Sequence, residues 1–118
     1  MKRLLLKLTG LRRVFGNLFS NSLKHFHSSN RRIRVDIKTE KDKVLIDVDD
    51  SGEGVAEDKL ELIFEPLYTS DQGRQVAGLG LPICREIIES HRGRIYAAGS
   101  ELGGLKVCIE LNRTGKKK

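Results

Sequence analysis

Residues 44–54 read VLIDVDDSGEG, a pattern typical of a β-strand that ends in a glycine-containing turn. The apolar residues alternate along the strand, so a period of two places them on one face of a sheet. Continuing the same period places Asp50 on this apolar face and Asp49 on the opposite face. A carboxylate is costly to bury unless a hydrogen-bond donor reaches it. The sequence therefore predicts a donor at Asp50, either a backbone N–H of the turn or the amino group of a ligand.

Segments before and after this strand carry periodicities of their own. Leu11–Phe26 has apolar residues three and four positions apart, which predicts an amphipathic helix. Ile33–Lys38 alternates strictly, and we expect it to pair with residues 44–49 as an antiparallel pair with one buried face. Asp58–Phe64 predicts a short helix that Pro66 closes.

The second half of the chain adds a helix and a pair of strands. A helical stripe starts at Pro82 and stops at Gly93. Two more strands, Ile95–Ala97 and Leu105–Leu111, flank a turn at Gly99–Gly104.

The element order is helix, strand, strand, short helix, lid, helix, strand, strand. It predicts an α+β two-layer sandwich, with about three helices on one face of a mixed, mostly antiparallel sheet. Residues 67–80 are polar, contain glycine and lack periodicity, so we interpret them as the lid. The domain is expected to extend over residues 11–112. Residues 1–10 are either an N-terminal strand or the remnant of a longer chain, and residues 113–118 are a basic disordered tail.

Composition excludes several classes of protein. The 118 residues fit one domain, and the 32% of charged residues, without an apolar run near ~18 residues, exclude a membrane-spanning segment. The apolar stretch near the start is too short for a secretory signal, so we expect a cytoplasmic domain that makes no membrane contact itself. Cys84 and Cys108 are too few for a disulfide scaffold or a thiolate zinc site. Periodicity places Cys84 in the core and Cys108 on the surface.

The positive charge is unevenly distributed along the chain. The net charge is +6, of which residues 1–38 contribute +9 and residues 39–118 contribute −3. This asymmetry makes nucleic-acid binding an alternative function, but the 5% of aromatic residues and the lack of a recognisable reading motif argue against it.

Polar residues on the first helix form a candidate site. Asn17, Asn21 and Lys24 lie at i, i+4 and i+7, so two carboxamides and an ammonium group share one strip. An amide oxygen suits Mg²⁺, and a lysine one turn away can meet a phosphate. The alternative is an ordinary solvated helix face.

Two glycine-containing segments could approach a ligand closely. Gly52 and Gly54, directly after Asp50, allow the backbone to reach a flat ring such as adenine, whose amino group could donate to the carboxylate. Residues 78–81, Gly-Leu-Gly-Leu, run into the second helix, whose first turn offers N–H groups to a phosphate. Since Pro82 lacks an N–H, Gly80 and Leu81 would donate. An ordinary turn and an ordinary loop-to-helix junction are the alternatives.

The order of these segments resembles one family. Residues 17–25 (NLFSNSLKH), 50–54 (DSGEG), 63–68 (IFEPLY) and 78–81 (GLGL) resemble the N, G1, F and G2 boxes. These boxes belong to the ATP-binding catalytic domain of two-component sensor histidine kinases. The resemblance runs from about residue 11 to residue 111 and implies the Bergerat sandwich of the GHKL superfamily, shared with gyrase, the heat-shock chaperone and mismatch-repair ATPases.

The resemblance also implies a ligand and a set of roles for these residues. The ligand is ATP with Mg²⁺, the metal being held by Asn21. Lys24 and His25 would lie near the phosphates, with Asn17 and Asn21 completing the catalytic strip. Asp50 would bind the adenine amine beside Gly52 and Gly54. The remaining binding residues implied by the F and G2 boxes are Phe64, Tyr68, Gly78, Leu79, Gly80 and Leu81.

Departures from the family pattern refine the expected function. ATP-hydrolysing relatives usually place a glutamate where Asn17 stands, and an amide cannot accept a proton from water, which favours phosphoryl transfer over hydrolysis. No segment resembles the family's phosphoacceptor helix, so the phosphorylated histidine is expected on a dimerisation domain in cis or in trans, with a response regulator downstream. Val76 and Ala77 replace the family's glycine and threonine before the G2 box. The alternative function is therefore a nucleotide-binding regulatory or scaffold module without phosphotransfer.

Overall fold

The computed structural model describes residues 12–19, 32–65 and 80–112, which contain a four-stranded sheet. The strands lie in the order β1-β2-β4-β3, and every neighbouring pair is antiparallel. Each strand is longer than alternation predicts by one or two residues at one or both ends. The predicted terminal segments, 1–10 and 113–118, lie outside the described residues. The strands are β1 (Ile33–Glu40), β2 (Lys43–Asp50), β3 (Arg94–Gly99) and β4 (Leu105–Asn112).

Two α-helices are described. Helix α1 covers residues 12–19 of the first predicted helix, and α2 extends over Gly80–Ser90. The chain leaves α2 at Arg92, which has a φ of 63°, and the N–H of Gly93 donates to Ile88 O at 3.0 Å. This bond closes the helix where the sequence places its end. No helix in the described ranges is long and apolar enough to cross a membrane.

The predicted short helix over residues 58–64 is instead a pair of 3₁₀ turns. They comprise Glu57–Lys59 and Leu62–Phe64, and neither has a side-chain N-cap. Leu60 directly follows the first turn, and Ile63 is in the second. Ile63 is fully buried, and Leu60 packs against the core.

The core lies between the helices and one face of the sheet. The cross-strand register places the alternating apolar residues of β2, β4 and β3 side by side on that face. Each helix contributes one apolar stripe, with Val14 and Leu18 from α1 and Leu81, Cys84 and Ile88 from α2. The buried strand residues are Val44, Ile46, Val48, Ile95, Leu105, Val107, Ile109 and Leu111.

Strand β1 departs from the expected pair with one buried face. Val35 and Ile37 lie on the same face as the core residues of β2, yet they are 40% and 65% exposed. β1 is one of the two edge strands, and the buried apolar strand residues lie on β2, β4 and β3. Alternation gives the correct face here, but burial depends on what covers that face.

The opposite face of the sheet also contains buried groups, which corrects the expectation for Cys108. Cys108 is on the face that parity predicts, but it is 7% exposed rather than a surface thiol. It lies between Asp47 of β2 and Tyr96 of β3 in the cross-strand register. Burial, followed by the negative charge of Asp47, raises the pKa of its thiol to about 12. Asp49 is on this outer face as well and is fully buried.

Candidate functional site

The carboxylate of Asp50 is the last group of β2 on the face that packs against the helices. Its residue is 6% exposed. The N–H of Gly52 donates to Oδ1 at 2.9 Å, and the N–H of Leu105 donates to the same oxygen at 3.0 Å. A carboxylate offers about four acceptor positions, so these two amides fix its orientation without exhausting its acceptor capacity. The donor that parity required is thus present, and one of the two amides comes from β4.

The turn after Asp50 packs directly against the turn between β3 and β4. Gly54 has a φ of 76°, and a Cβ added there would lie 3.4 Å from Gly104 O. The N–H of Gly104 donates to Asp50 O at 3.1 Å. Two backbone segments therefore meet beside the carboxylate with no side chain between them. The positive φ of Gly54 and this close packing both favour glycine at position 54.

Asn17 is half-buried on α1 and faces the second helix. Burial raises the pKa of the Cys84 thiol to about 11, and a hydrogen bond with the Asn17 side chain opposes this shift. The thiol of Cys84 also donates to Val14 O at 3.5 Å. Helix α1, which carries the first residue of the candidate metal strip, is therefore in contact with α2, which follows the predicted lid.

The described residues on either side of the predicted lid are held close together. Phe64 is buried, and the guanidinium of Arg85 lies 5.8 Å from the centroid of its ring. Arg85 also forms an ion pair with Glu65 at 3.5 Å. On the other side, α2 begins at Gly80, and the side chain of Leu81 is fully buried. Phe64 and Leu81 therefore act as core anchors, and any ligand contact by Leu81 would come from its backbone.

Several predicted site residues lie outside the described residues. Within the described part, no group of three or more His, Cys, Asp and Glu side chains could hold a metal ion. Most of the lid, residues 67–79, is likewise outside that part. The predicted site residues concerned are Asn21, Lys24, His25, Tyr68, Gly78 and Leu79.

Sequence reasoning missed the contribution of the β3–β4 turn to the site. Gly104 and Leu105 supply two of the three backbone hydrogen bonds described here at Asp50. The alternating pattern predicted a turn between β3 and β4 but not that this turn contacts Asp50. That contact exists because β4 lies beside β2 in the sheet. The adjacent glycines 103 and 104 are the one sequence signal of a close backbone approach.

The comparisons with known proteins all indicate the same family. Residues 7–115 match the family model described as histidine kinase-, DNA gyrase B- and HSP90-like ATPase. The sensor histidine kinase GtrS of Pseudomonas aeruginosa is 39% identical over 105 residues, which cover 89% of this chain and 21% of GtrS. The signal transduction histidine-protein kinase BaeS of Escherichia coli is 37% identical, with 86% of this chain and 22% of BaeS covered. The chain thus spans about a fifth of the length of these relatives.

A solved structure shares the fold. The catalytic domain of histidine kinase ThkA, in a nucleotide-free form, superposes with a TM-score of 0.78 at 30% identity. The match covers 92% of this chain and 70% of the ThkA chain. Since sequence and fold agree, the chain belongs to the family of histidine kinase-, DNA gyrase B- and HSP90-like ATPases and has the fold of a histidine kinase catalytic domain.

Proposed function

We propose that the chain is an ATP-binding catalytic domain that transfers the γ-phosphoryl group of Mg·ATP to a histidine on a separate dimerisation domain. The observation that carries the proposal is the carboxylate of Asp50, which lies on the inner face of the sheet and is oriented by two backbone amides. Family membership and the order of the four boxes support the same function.

Adenine recognition rests on Asp50 and the backbone around it. An exocyclic amine can donate to the carboxylate, and a buried acceptor of this kind rejects bases that lack such a donor. The glycines at 52 and 54 keep side chains away from the ring plane. The affinity for the base therefore depends on how firmly Asp50 is held.

The triphosphate is expected to lie between α1 and the start of α2. Asn21 is the proposed ligand of Mg²⁺, with Lys24 and His25 near the phosphates, since an amide oxygen and a nearby cation suit a metal–phosphate pair. The backbone of Gly80 and Leu81, at the N-terminus of α2, would donate to a phosphate oxygen. When bound, Mg²⁺ would neutralise charge on the β- and γ-phosphates.

The proposed reaction is transfer rather than hydrolysis. The bond between the γ-phosphorus and the β–γ bridging oxygen breaks, a phosphorus–nitrogen bond forms to the imidazole, and ADP leaves with the bridging oxygen. Asn17 cannot act as a base toward water because its side chain is an amide. The contact between Asn17 and Cys84 gives this residue a packing role at the junction of α1 and α2.

The histidine is expected to come from another domain, in cis or in trans. The chain spans about a fifth of the sensor kinases that it resembles, which leaves ample room for a phosphoacceptor domain in a parent protein. We propose a cytoplasmic position for this domain, where ATP is available, whether or not the parent kinase is membrane-anchored, and a response regulator as the downstream acceptor.

Phosphotransfer is tested with γ-labelled ATP and an added phosphoacceptor domain of the cognate kinase. We expect acid-labile label on the acceptor histidine when the chain and Mg²⁺ are both present, and none with a chain carrying Asp50→Asn at low ATP. Binding of ATP without transfer to any cognate acceptor would contradict the kinase function.

That negative result would instead support a regulatory module that binds nucleotide without transferring phosphate. The observation that favours this second candidate is the pair Val76 and Ala77, which lacks the glycine and the hydroxyl that the family has before the G2 box. Such a module would bind Mg·ATP with Asp50-dependent affinity and leave an acceptor domain unlabelled.

A further inference from the structure

The turn between β3 and β4 contacts two consecutive carboxylates of β2 from opposite faces of the sheet. On the inner face, the N–H of Gly104 donates to Asp50 O at 3.1 Å, and the N–H of Leu105 donates to Asp50 Oδ1 at 3.0 Å. On the outer face, the hydroxyl of Ser100 donates to Asp49 Oδ2 at 2.7 Å. We call residues 100–105 the clamp turn, because they hold the end of β2 between these contacts.

The clamp turn is held in place by hydrogen bonds within the turn and by a hydrogen bond to β1. The N–H of Ser100 donates to Gly104 O at 2.9 Å, and the N–H of Leu102 donates to the Ser100 hydroxyl at 3.0 Å. Glu101 accepts from the guanidinium of Arg34 on β1 at 2.7 Å. The clamp turn is therefore hydrogen-bonded to both β1 and β2, so it can hold the Asp50 carboxylate in a fixed position.

Position 104 tolerates no side chain in this arrangement. A Cβ added there would overlap Asp50 Oδ1 and would lie 2.6 Å from Gly52 N and 2.7 Å from Asp50 O. Two of these three atoms are backbone, so they cannot rotate away. Relief requires the clamp turn to move away from β2 or the Asp50 carboxylate to leave its two amide donors. By contrast, a Cβ at Gly99, at the start of the same connection, would meet no atom within 4 Å.

We propose that Gly104 is a positioning residue that sets the selectivity of the site for adenine, acting through the orientation of the Asp50 carboxylate. The inference rests on the proposed function, because it assumes that Asp50 accepts from the amino group of the base. Gly104 makes no contact with the base in this account. Its role is to let the amides of residues 104 and 105 reach Asp50 without a side chain between them.

The test compares Mg·ATP with Mg·ITP by calorimetry, since inosine carries a carbonyl in place of the 6-amino group. We expect the unaltered chain to bind ATP at least tenfold more tightly than ITP, and a chain with Asp50→Asn to lose this preference. Gly104→Ala is expected to reduce the preference at least fivefold, whereas the matched control Gly99→Ala retains it. The informative quantity is the ratio of the affinities for ATP and ITP. Partial unfolding weakens the binding of both nucleotides equally and leaves this ratio unchanged.

Ser100→Ala provides a second variant in case Gly104→Ala does not fold. It removes the outer contact of the clamp turn and the internal bond from the N–H of Leu102 without adding atoms, and we expect it to lower the ATP-to-ITP preference at least twofold. If folded Gly104→Ala keeps the full preference, the inference is overturned while the proposed function stands. An unfolded Gly104→Ala together with an unchanged ratio in Ser100→Ala overturns it as well. If the unaltered chain binds neither nucleotide, or does not distinguish them, adenine recognition by Asp50 is itself overturned.

Discussion

Removal of the Ser100 hydroxyl, which also accepts from the N–H of Leu102, is expected to destabilise the fold mainly by taking the donor from a buried carboxylate. Asp49 is 0% exposed, and the Ser100 hydroxyl donates to its Oδ2 at 2.7 Å. Its other oxygen, Oδ1, accepts no hydrogen bond within the described residues and lies 3.8 Å from the guanidinium of Arg34. Loss of a hydrogen bond to a charged group costs about 1.5–3 kcal/mol, and Ser100→Ala leaves both oxygens of Asp49 without one. We therefore expect the free energy of unfolding to fall by about 2 kcal/mol.

Urea denaturation measures this change directly. With a slope of about 2 kcal/mol/M, typical of small domains, a loss of about 2 kcal/mol lowers the midpoint by about 1 M. The matched control is Ser90→Ala, because that hydroxyl donates to Ile87 O in an exposed position. The control should change stability by less than about 0.5 kcal/mol.

A double-mutant cycle identifies the carboxylate as the cause. In a chain that already carries Asp49→Asn, the partner of Ser100 is a neutral amide, so Ser100→Ala should cost less than it does in the unaltered chain. Equal midpoints for Ser100→Ala and the unaltered chain would refute the reasoning, and so would an equal cost in both backgrounds.

Two further predictions concern other parts of the fold. Because burial raises the pKa of the Cys84 thiol from 9.0 to about 11, the unfolded chain loses this proton first, so stability should fall as pH rises from 9 towards 11. Urea midpoints at several pH values should fall less steeply for Cys84→Ala, and parallel profiles would contradict the assignment. Arg34→Ala should lower the urea midpoint more than Lys38→Ala, since Arg34 faces the buried Asp49 whereas Lys38 pairs with the exposed Glu40 at 3.9 Å. Equal effects of the two substitutions would show that the charge of Arg34 is not needed near Asp49.

The features that sequence predicted correctly are those set by local periodicity. Asp50 lies on the apolar face because a strand alternates with a period of two, and Cys84 is buried because it lies on the stripe of α2. The same local rule gave the correct face for Ile37 and Cys108, yet it misjudged the exposure of both residues. The exposure of a residue depends on the position of its strand in the sheet and on the strands beside it. A period of two carries no information about either.

The features that sequence missed depend on contacts between distant segments. Asp49 is buried by a turn about fifty residues later in the chain, and Gly104 approaches Asp50 because β4 pairs with β2. The alternation of β4 fits several sheet orders equally well. The close approach of Gly104 to Asp50 therefore follows from the strand order and not from the sequence pattern.

Adenine recognition by Asp50 is the central claim, and Mg·ATP calorimetry on Asp50→Asn tests it most directly. The asparagine can still accept from the two amides, but its NH₂ group would face the donor of the base. We expect at least a tenfold loss of affinity, about 1.4 kcal/mol, whereas Asp47→Asn on the outer face of the same strand should bind as the unaltered chain does. Unchanged affinity of Asp50→Asn would contradict the account.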